Sequence, residues 1–228
     1  MIGTQVLTSQ TMFLAWLFYL PLLVWAVWRC PWVELFSDTR RQHLFFGTVF
    51  ALFLLWLMRR DFDTGVSYHL LGMTAVTLLL DWPLAMVGGL IAQLGLLAMG
   101  RQDLASLGVN GLLLVGMPVL ITEGCSLIVE RAQPKSPFTY IFCSGFFAAA
   151  LVALTSLLVA MGLLWYDGIF AMPEWLGDFI GYLWLIIFPE AFINGMIVTA
   201  LVVFCPEWLE TFNRTRYLSE PWTDDGDS

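Results

Sequence analysis

The chain has two histidines, and one of them stands where metal chemistry is plausible. His69 lies in the run Ser67-Tyr68-His69-Leu70-Leu71-Gly72, at the mouth of an apolar stretch that ends in Asp81-Trp82-Pro83. A neutral imidazole in that position can serve as a ligand for a transition metal. It can equally be a polar residue at the point where a helix leaves water. The first reading predicts that metal affinity falls as pH drops through about 6.5, the reference histidine value, and the second predicts no such linkage. His43, close to Arg40 and Arg41, reads as a solvated residue at a membrane boundary. Six further polar residues fall within or beside apolar runs: Asp81, Gln93, Asn110, Glu123, Glu190 and Asn194. In hydrocarbon such groups are costly and must be buried in protein or face a cavity, so together they form a candidate intramembrane polar site. The competing reading is that they bond neighbouring helices and freed backbone groups.

These residues are embedded in an unusually apolar chain. Of 228 residues, 59% are hydrophobic and 12% charged, against about 25% charged in a soluble domain. The composition is that of an integral membrane protein. Part of the net charge of -8 comes from the end of the chain, where Glu220, Asp224, Asp225 and Asp227 cluster; an acidic balance argues against nucleic acid as a partner. Lys135 is the one lysine and lacks the glycines of a phosphate-cradling loop, so ATP hydrolysis belongs to another chain. Cys30, Cys125, Cys143 and Cys205 are scattered and read as small apolar fillers. No H-E-x-x-H, G-x-S-x-G or histidine-rich cluster points to an enzyme.

Length and breakers place membrane segments at about 11 to 28, 43 to 58, 70 to 80, 83 to 100, 104 to 129, 138 to 165 and 178 to 204. The fold expected is an all-α polytopic transmembrane bundle of about seven segments with one short or broken, Asp81 and Pro83 interrupting a hairpin. Residues 1–204 form the permease-like domain and 205–228 an acidic cytoplasmic tail. The first segment is expected to be retained rather than removed as a signal peptide. Trp25, Trp28, Trp32, Trp56 and Trp165 fall near segment ends, as interfacial rings do, whereas Trp16 and Trp184 fall deeper and are expected to pack. Gly88, Gly89, Gly95, Gly108, Gly111 and Gly116 would let helices approach closely. With the N-terminus outside, Arg29, Arg40, Arg41, Arg131, Lys135, Arg214 and Arg216 face the cytoplasm, against Arg59, Arg60 and Arg101 outside. That asymmetry sets the expected orientation in a plasma (inner) membrane, with the C-terminus cytoplasmic.

The succession "TGVSYHLLGMTAVTLLLDWP", "GGLIAQLGLLAMG", "LASLGVNGLLLVGMP" and, at the end, "FPEAFINGMIVTALVVF" resembles the cobalt/nickel energy-coupling-factor permeases, the CbiM/NikM-like family. The resemblance covers about a third of the chain, from Thr64 to Pro118 and from Phe188 to Phe204. It implies a membrane-embedded substrate-binding subunit that captures a divalent cobalt or nickel ion from outside. It also implies partners, a coupling transmembrane subunit and cytoplasmic ATPases, alongside membrane lipid. No resident cofactor is required; the metal is cargo.

In that family the metal is held by the free N-terminal end, with a histidine in second place, and by a histidine just before the glycine-rich stretch. His69 matches the latter. Gln93, the Gly108-Val109-Asn110 triplet and Glu190 fall where the resemblance expects a glutamine, a Gly-Ala-Asn and a glutamate. Two positions depart: residue 2 is Ile2, and Met99-Gly100-Arg101-Gln102-Asp103 stands where an Asp-Gly-Gly is usual. The leading reading is therefore a permease whose metal site is short of one imidazole. The alternative is a non-transporting membrane protein on the same scaffold, acting in assembly or regulation of a metal-linked complex.

Overall fold

The computed structural model describes residues 1–61, 67–133, 135–169 and 172–217, with side chains at 61, 68 and 172–182 left aside. Asp63 and Thr64 in the loop before His69, and the acidic residues Glu220, Asp224, Asp225 and Asp227, lie outside the described residues.

Uninterrupted apolar sequence forms helices because every backbone polar group is then satisfied within the segment. α1 (Ser9–Arg29) is followed by the short α2 (Trp32–Ser37) and by α3 (Thr39–Leu57). A two-residue antiparallel pair, β1 (Arg60–Asp61) with β2 (Ser67–Tyr68), leads to α4 (Met73–Leu80) and α5 (Trp82–Ala98). α6 (Leu104–Gly111) passes through a wide π-turn at Leu112–Gly116 into α7 (Met117–Ala132). α8 (Pro137–Tyr140) continues likewise through Ile141–Phe147 into α9 (Ala148–Tyr166). α10 (Met172–Phe204), a 3-10 turn at Pro206–Trp208 and α11 (Arg214–Tyr217) complete the chain.

The molecule is an all-helical bundle. Ser9–Arg29, Leu104–Ala132, Pro137–Tyr166 and Leu183–Phe204 are long and apolar enough to cross a membrane. With α3, α4 and α5 they correspond segment by segment to the seven spans read from the sequence.

The bundle has two ends. Met1, Ser67, Asp103 and Asp167 share one, tied by the hydrogen bonds of Met1, Thr4 and Thr8, and Arg59 donates to the Arg101 carbonyl there. Arg40, Arg41, Glu207 and Glu210 share the other through ion pairs.

α1 lies close to α6 because Gly108 and Gly111 present bare backbone to the rings of Trp16 and Tyr19, where any Cβ would collide. Trp56 is fully buried rather than interfacial, because its Nε1 donates to the Leu71 carbonyl at 2.9 Å. Trp184, expected to pack, instead faces outward at 75% exposure. In a membrane that face of α10 meets lipid, where an apolar ring needs no protein cover.

α4 is the short segment. Its eight residues rise about 12 Å, far less than the roughly 30 Å of a hydrocarbon core. Every one of its residues is buried. It is suspended by both ends: Glu190 and Asn194 of α10 bind its first N–H groups, and residues after α10 bind its last carbonyls. Thr211 donates its N–H (3.5 Å) and its hydroxyl (2.9 Å) to Leu78 O, and Glu210 N donates to Leu79 O at 3.4 Å. Phe212 and Tyr217 stack against each other and against Tyr140, holding this C-terminal strap in place.

Asp81 then breaks the chain. Its φ of 73° lies in the left-handed region that non-glycine residues rarely adopt. Its Oδ1 accepts the Trp82 N–H at 2.8 Å, so the carboxylate caps α5 while its backbone reverses the direction.

Candidate metal-capture site at the amino end

The first residues of the chain enter the bundle. The Met1 ammonium donates to Ser67 O at 2.6 Å and Ser67 N–H returns a bond to Met1 O at 2.8 Å, the pairing of one extended strand with another. Asn110 then clasps Ile2 from the other side. Its Oδ1 accepts the Ile2 N–H at 2.8 Å and its Nδ2 donates to Ile2 O at 3.0 Å. Ile2 is 3% exposed and packs with Val6, Leu7, Ala15, Val109, Leu113 and Leu164. The Ile2 side chain anchors the N-terminus through packing.

His69 follows β2 directly and is buried, with its ring 5.7 Å from that of Trp56. Its Nδ1 lies 2.9 Å from the Leu70 carbonyl. A carbonyl only accepts, so Nδ1 carries the proton. Burial pushes the imidazole down from 6.5 to about 3, the N-terminal charge pushes the same way, the Leu70 bond opposes, and Arg59 adds a further lowering. The ring is therefore neutral with a bare Nε2, and that atom is buried without a hydrogen-bond partner. A proton-donating bond at one nitrogen that exposes the lone pair of the other is the usual arrangement of a metal-binding histidine. The expected midpoint near pH 6.5 does not hold for this ring, because burial keeps it neutral well below that value.

The loop carrying His69 is fixed from below. Glu190 accepts the Leu71 N–H (2.7 Å) and the Gly72 N–H (2.8 Å) on separate oxygens, and Asn194 Nδ2 donates to Glu190 Oε1 at 2.8 Å. Asn194 Oδ1 takes the Ala75 N–H at 2.9 Å. A carboxylate at a helix N-terminus satisfies donors that the helix cannot satisfy itself. Gly72, at φ 68°, supplies the bend into α4.

Gln93 of α5 is 0% exposed and neither its Nε2 nor its Oε1 has a partner. A buried carboxamide makes the interior around it polar. Asp81 and Glu123 stand elsewhere. Asp81 follows the far end of α4 from His69, and Glu123 lies 13 residues beyond Asn110 on the continuous α6–α7 helix, half-buried with Oε2 unpartnered.

The amino end thus brings together the N-terminus, His69 and Asn110, with Glu190 and Asn194 supporting the loop. Among the described residues no three His, Cys, Asp or Glu side chains group as a metal cage.

Sequence reasoning missed two residues here. Gln102 is 8% exposed with both side-chain polar atoms unpartnered. Asp167 receives the Thr8 N–H (2.8 Å), the Thr8 hydroxyl (3.0 Å) and the Thr11 hydroxyl (2.8 Å), and so anchors the start of α1. No local pattern marks either.

Among curated protein sequences none matches the chain. Its fold is similar to a crystal structure of a truncated transition metal transporter, at 16% identity and a TM-score of 0.63, covering 89% of this chain and 98% of that one. The family described as the cobalt uptake substrate-specific transmembrane region, CbiM, matches residues 2–208. With that match over nearly its whole length, this multi-pass membrane protein belongs to the CbiM family and is a substrate-specific transmembrane component of cobalt uptake, not an enzyme.

Proposed function

We propose that this chain captures a divalent cobalt or nickel ion at its amino end, through the Met1 amine once it has lost its proton and through His69 Nε2. In this reading it then passes the ion on only in complex with a coupling transmembrane subunit and cytoplasmic ATPases. The observation that carries the reading is the N-terminus threaded into the bundle and clasped by Ser67 and Asn110, next to a neutral imidazole with a bare nitrogen. Nitrogen donors suit both ions. Asn110, Glu190 and Asn194 act by positioning, and Gln93 offers a polar interior; Asp81 caps a helix, and Glu123 stands apart from the metal. The amino end faces outside and the carboxyl end faces the cytoplasm, in keeping with the arginine asymmetry. The segment beyond Phe204 lies on the cytoplasmic side and begins as a packed strap.

The test is titration of cobalt(II) into purified wild type, His69→Ala and Ile2→His. Removal of the imidazole is expected to weaken binding by about tenfold or more, at least the loss known for supporting residues, and a second imidazole at position 2 is expected to strengthen it. Absence of binding in all three would overturn metal capture in favour of the non-transporting scaffold.

A further inference from the structure

On the side of the bundle a groove of about 890 Å³ runs between α3 and α10, with α4 contributing Gly72, Ala75, Val76 and Leu79 between them. Its α3 wall follows one helical stripe, Arg40, His43, Gly47, Ala51 and Leu55, spaced by three or four residues. From Arg40 to Leu55 that stripe rises about 22 Å at 1.5 Å per residue. Half of a hydrocarbon core is about 15 Å, so a lipid tail entering at the Arg40 end has wall along its whole length. Below Arg40 and His43 the lining is apolar apart from Thr48 and, at the far mouth, Trp208.

Gly47 keeps this groove open. It sits inside α3, where glycine is unfavourable relative to alanine, and a Cβ there would meet nothing within 4 Å. Gly108 and Gly111 accept neighbouring rings, but packing within the chain does not account for Gly47.

Bulk acyl chains can enter any apolar groove, so the mouth decides which lipid stays. Arg40, His43 and Trp208 line it, and Arg40 Nη2 stands 3.4 Å from Glu207 Oε1 with both side chains exposed to solvent. An exposed pair of that kind contributes little by itself, so a ligand that bonds both partners can replace it. A guanidinium suits a phosphate, and His43 adds a ring N–H donor. Once Arg40 turns to a phosphate, the Glu207 carboxylate needs another cation. A headgroup that carries a phosphate and a free amine satisfies both charges, whereas one with a phosphate alone sets an anion beside Glu207. Trp208, at the same level, is a residue type that sits among headgroups. We propose that this groove binds one phospholipid with an amine-bearing headgroup, its tail along α4 and its headgroup between Arg40, His43 and Glu207.

The test titrates the purified full chain in detergent with phosphatidylethanolamine and, separately, with phosphatidylglycerol, and counts bound lipid by native mass spectrometry. The expected result is one phosphatidylethanolamine per chain, held about tenfold more tightly than phosphatidylglycerol, as one hydrogen bond between charged groups provides. Gly47→Leu puts a side chain into open space without a clash, and it should weaken binding of both lipids about tenfold or more. Glu207→Gln should bring the ratio of the two affinities towards one. Equal affinity of wild type for the two lipids would overturn the headgroup assignment, and full retention by Gly47→Leu would overturn the groove as the place of binding. If wild type holds neither lipid, the lipid site is overturned. In that case Gly47→Cys, in a chain without its native cysteines, identifies a partner helix as the occupant if its thiol is shielded from a maleimide only when the coupling subunit is bound.

Discussion

The carboxamide of Asn110 meets the Ile2 peptide with its donor and its acceptor at once, which no carboxylate or hydroxyl can do in that geometry. Asn110→Ala removes both bonds and leaves the buried Ile2 N–H and C=O unsatisfied, so stability should fall by about 1–3 kcal/mol. Metal affinity should fall with it, because the N-terminus is then free to leave its strand. Thermal unfolding in detergent, read beside a cobalt titration, checks both. Asn110 was visible in the sequence as an amide inside an apolar run, and His69 as an imidazole at its mouth. Their meaning was not, since Asn110 works on a residue 108 positions away. Gln102 lies in a segment that departs from the family pattern. Nothing in Gly100-Arg101-Gln102-Asp103 says that its amide would be buried, because burial depends on residues distant in sequence, such as Thr4, whose hydroxyl bonds the neighbouring Asp103.

At the scale of elements, α4 shows how a short apolar run becomes a usable part of a membrane bundle. The break at Asp81-Trp82-Pro83 was legible, since proline starts helices and aspartate caps them. The ends of the helix were not, because their partners come from α10 and from the strap after it. Glu190→Gln retains one acceptor but turns an amide N–H₂ towards a backbone N–H. It should cost about 1–3 kcal/mol of stability and loosen the His69 loop, which lower cobalt affinity would reveal, whereas Glu123→Gln should change cobalt affinity little.

The join of α1 to the loop after α9 gives a pH test. Burial works against a charge on Asp167, but the bonds from Thr8 N–H and from the Thr11 and Thr8 hydroxyls together hold its carboxyl below the usual aspartate range. A depressed folded-state pKa means that this contribution is present in full above the unfolded value of about 3.9 and is lost as pH falls through the lower folded value. Asp167→Asn should therefore be less stable than wild type at neutral pH, and the gap should close only in that acidic window. A gap that is the same at pH 7 and pH 3 would show that the carboxylate charge is not the cause.

For the whole molecule, the chain's orientation follows from where basic residues end up. A reporter active only in the cytoplasm, fused after Ser228, should be active. A single cysteine at the exposed Gly100, in a variant with the four native cysteines replaced, should react with an impermeant reagent added to intact cells. Labelling only after the cells are opened would reverse the assignment. The seven-segment plan was legible because length and breakers alone decide it in a membrane, while the pairing of helices was hidden in a sequence that is apolar on every face. The strap beneath α4 also bears on how the protein is made. Eight residues cannot cross a bilayer, and the groups that hold α4, from Glu190 to Thr211, are synthesised more than a hundred residues after it. During synthesis α4 has no partner for its exposed backbone ends, so the ribosome must nearly finish the chain before this segment can settle. The chain up to Glu190 is then a membrane intermediate that waits for its own C-terminal part.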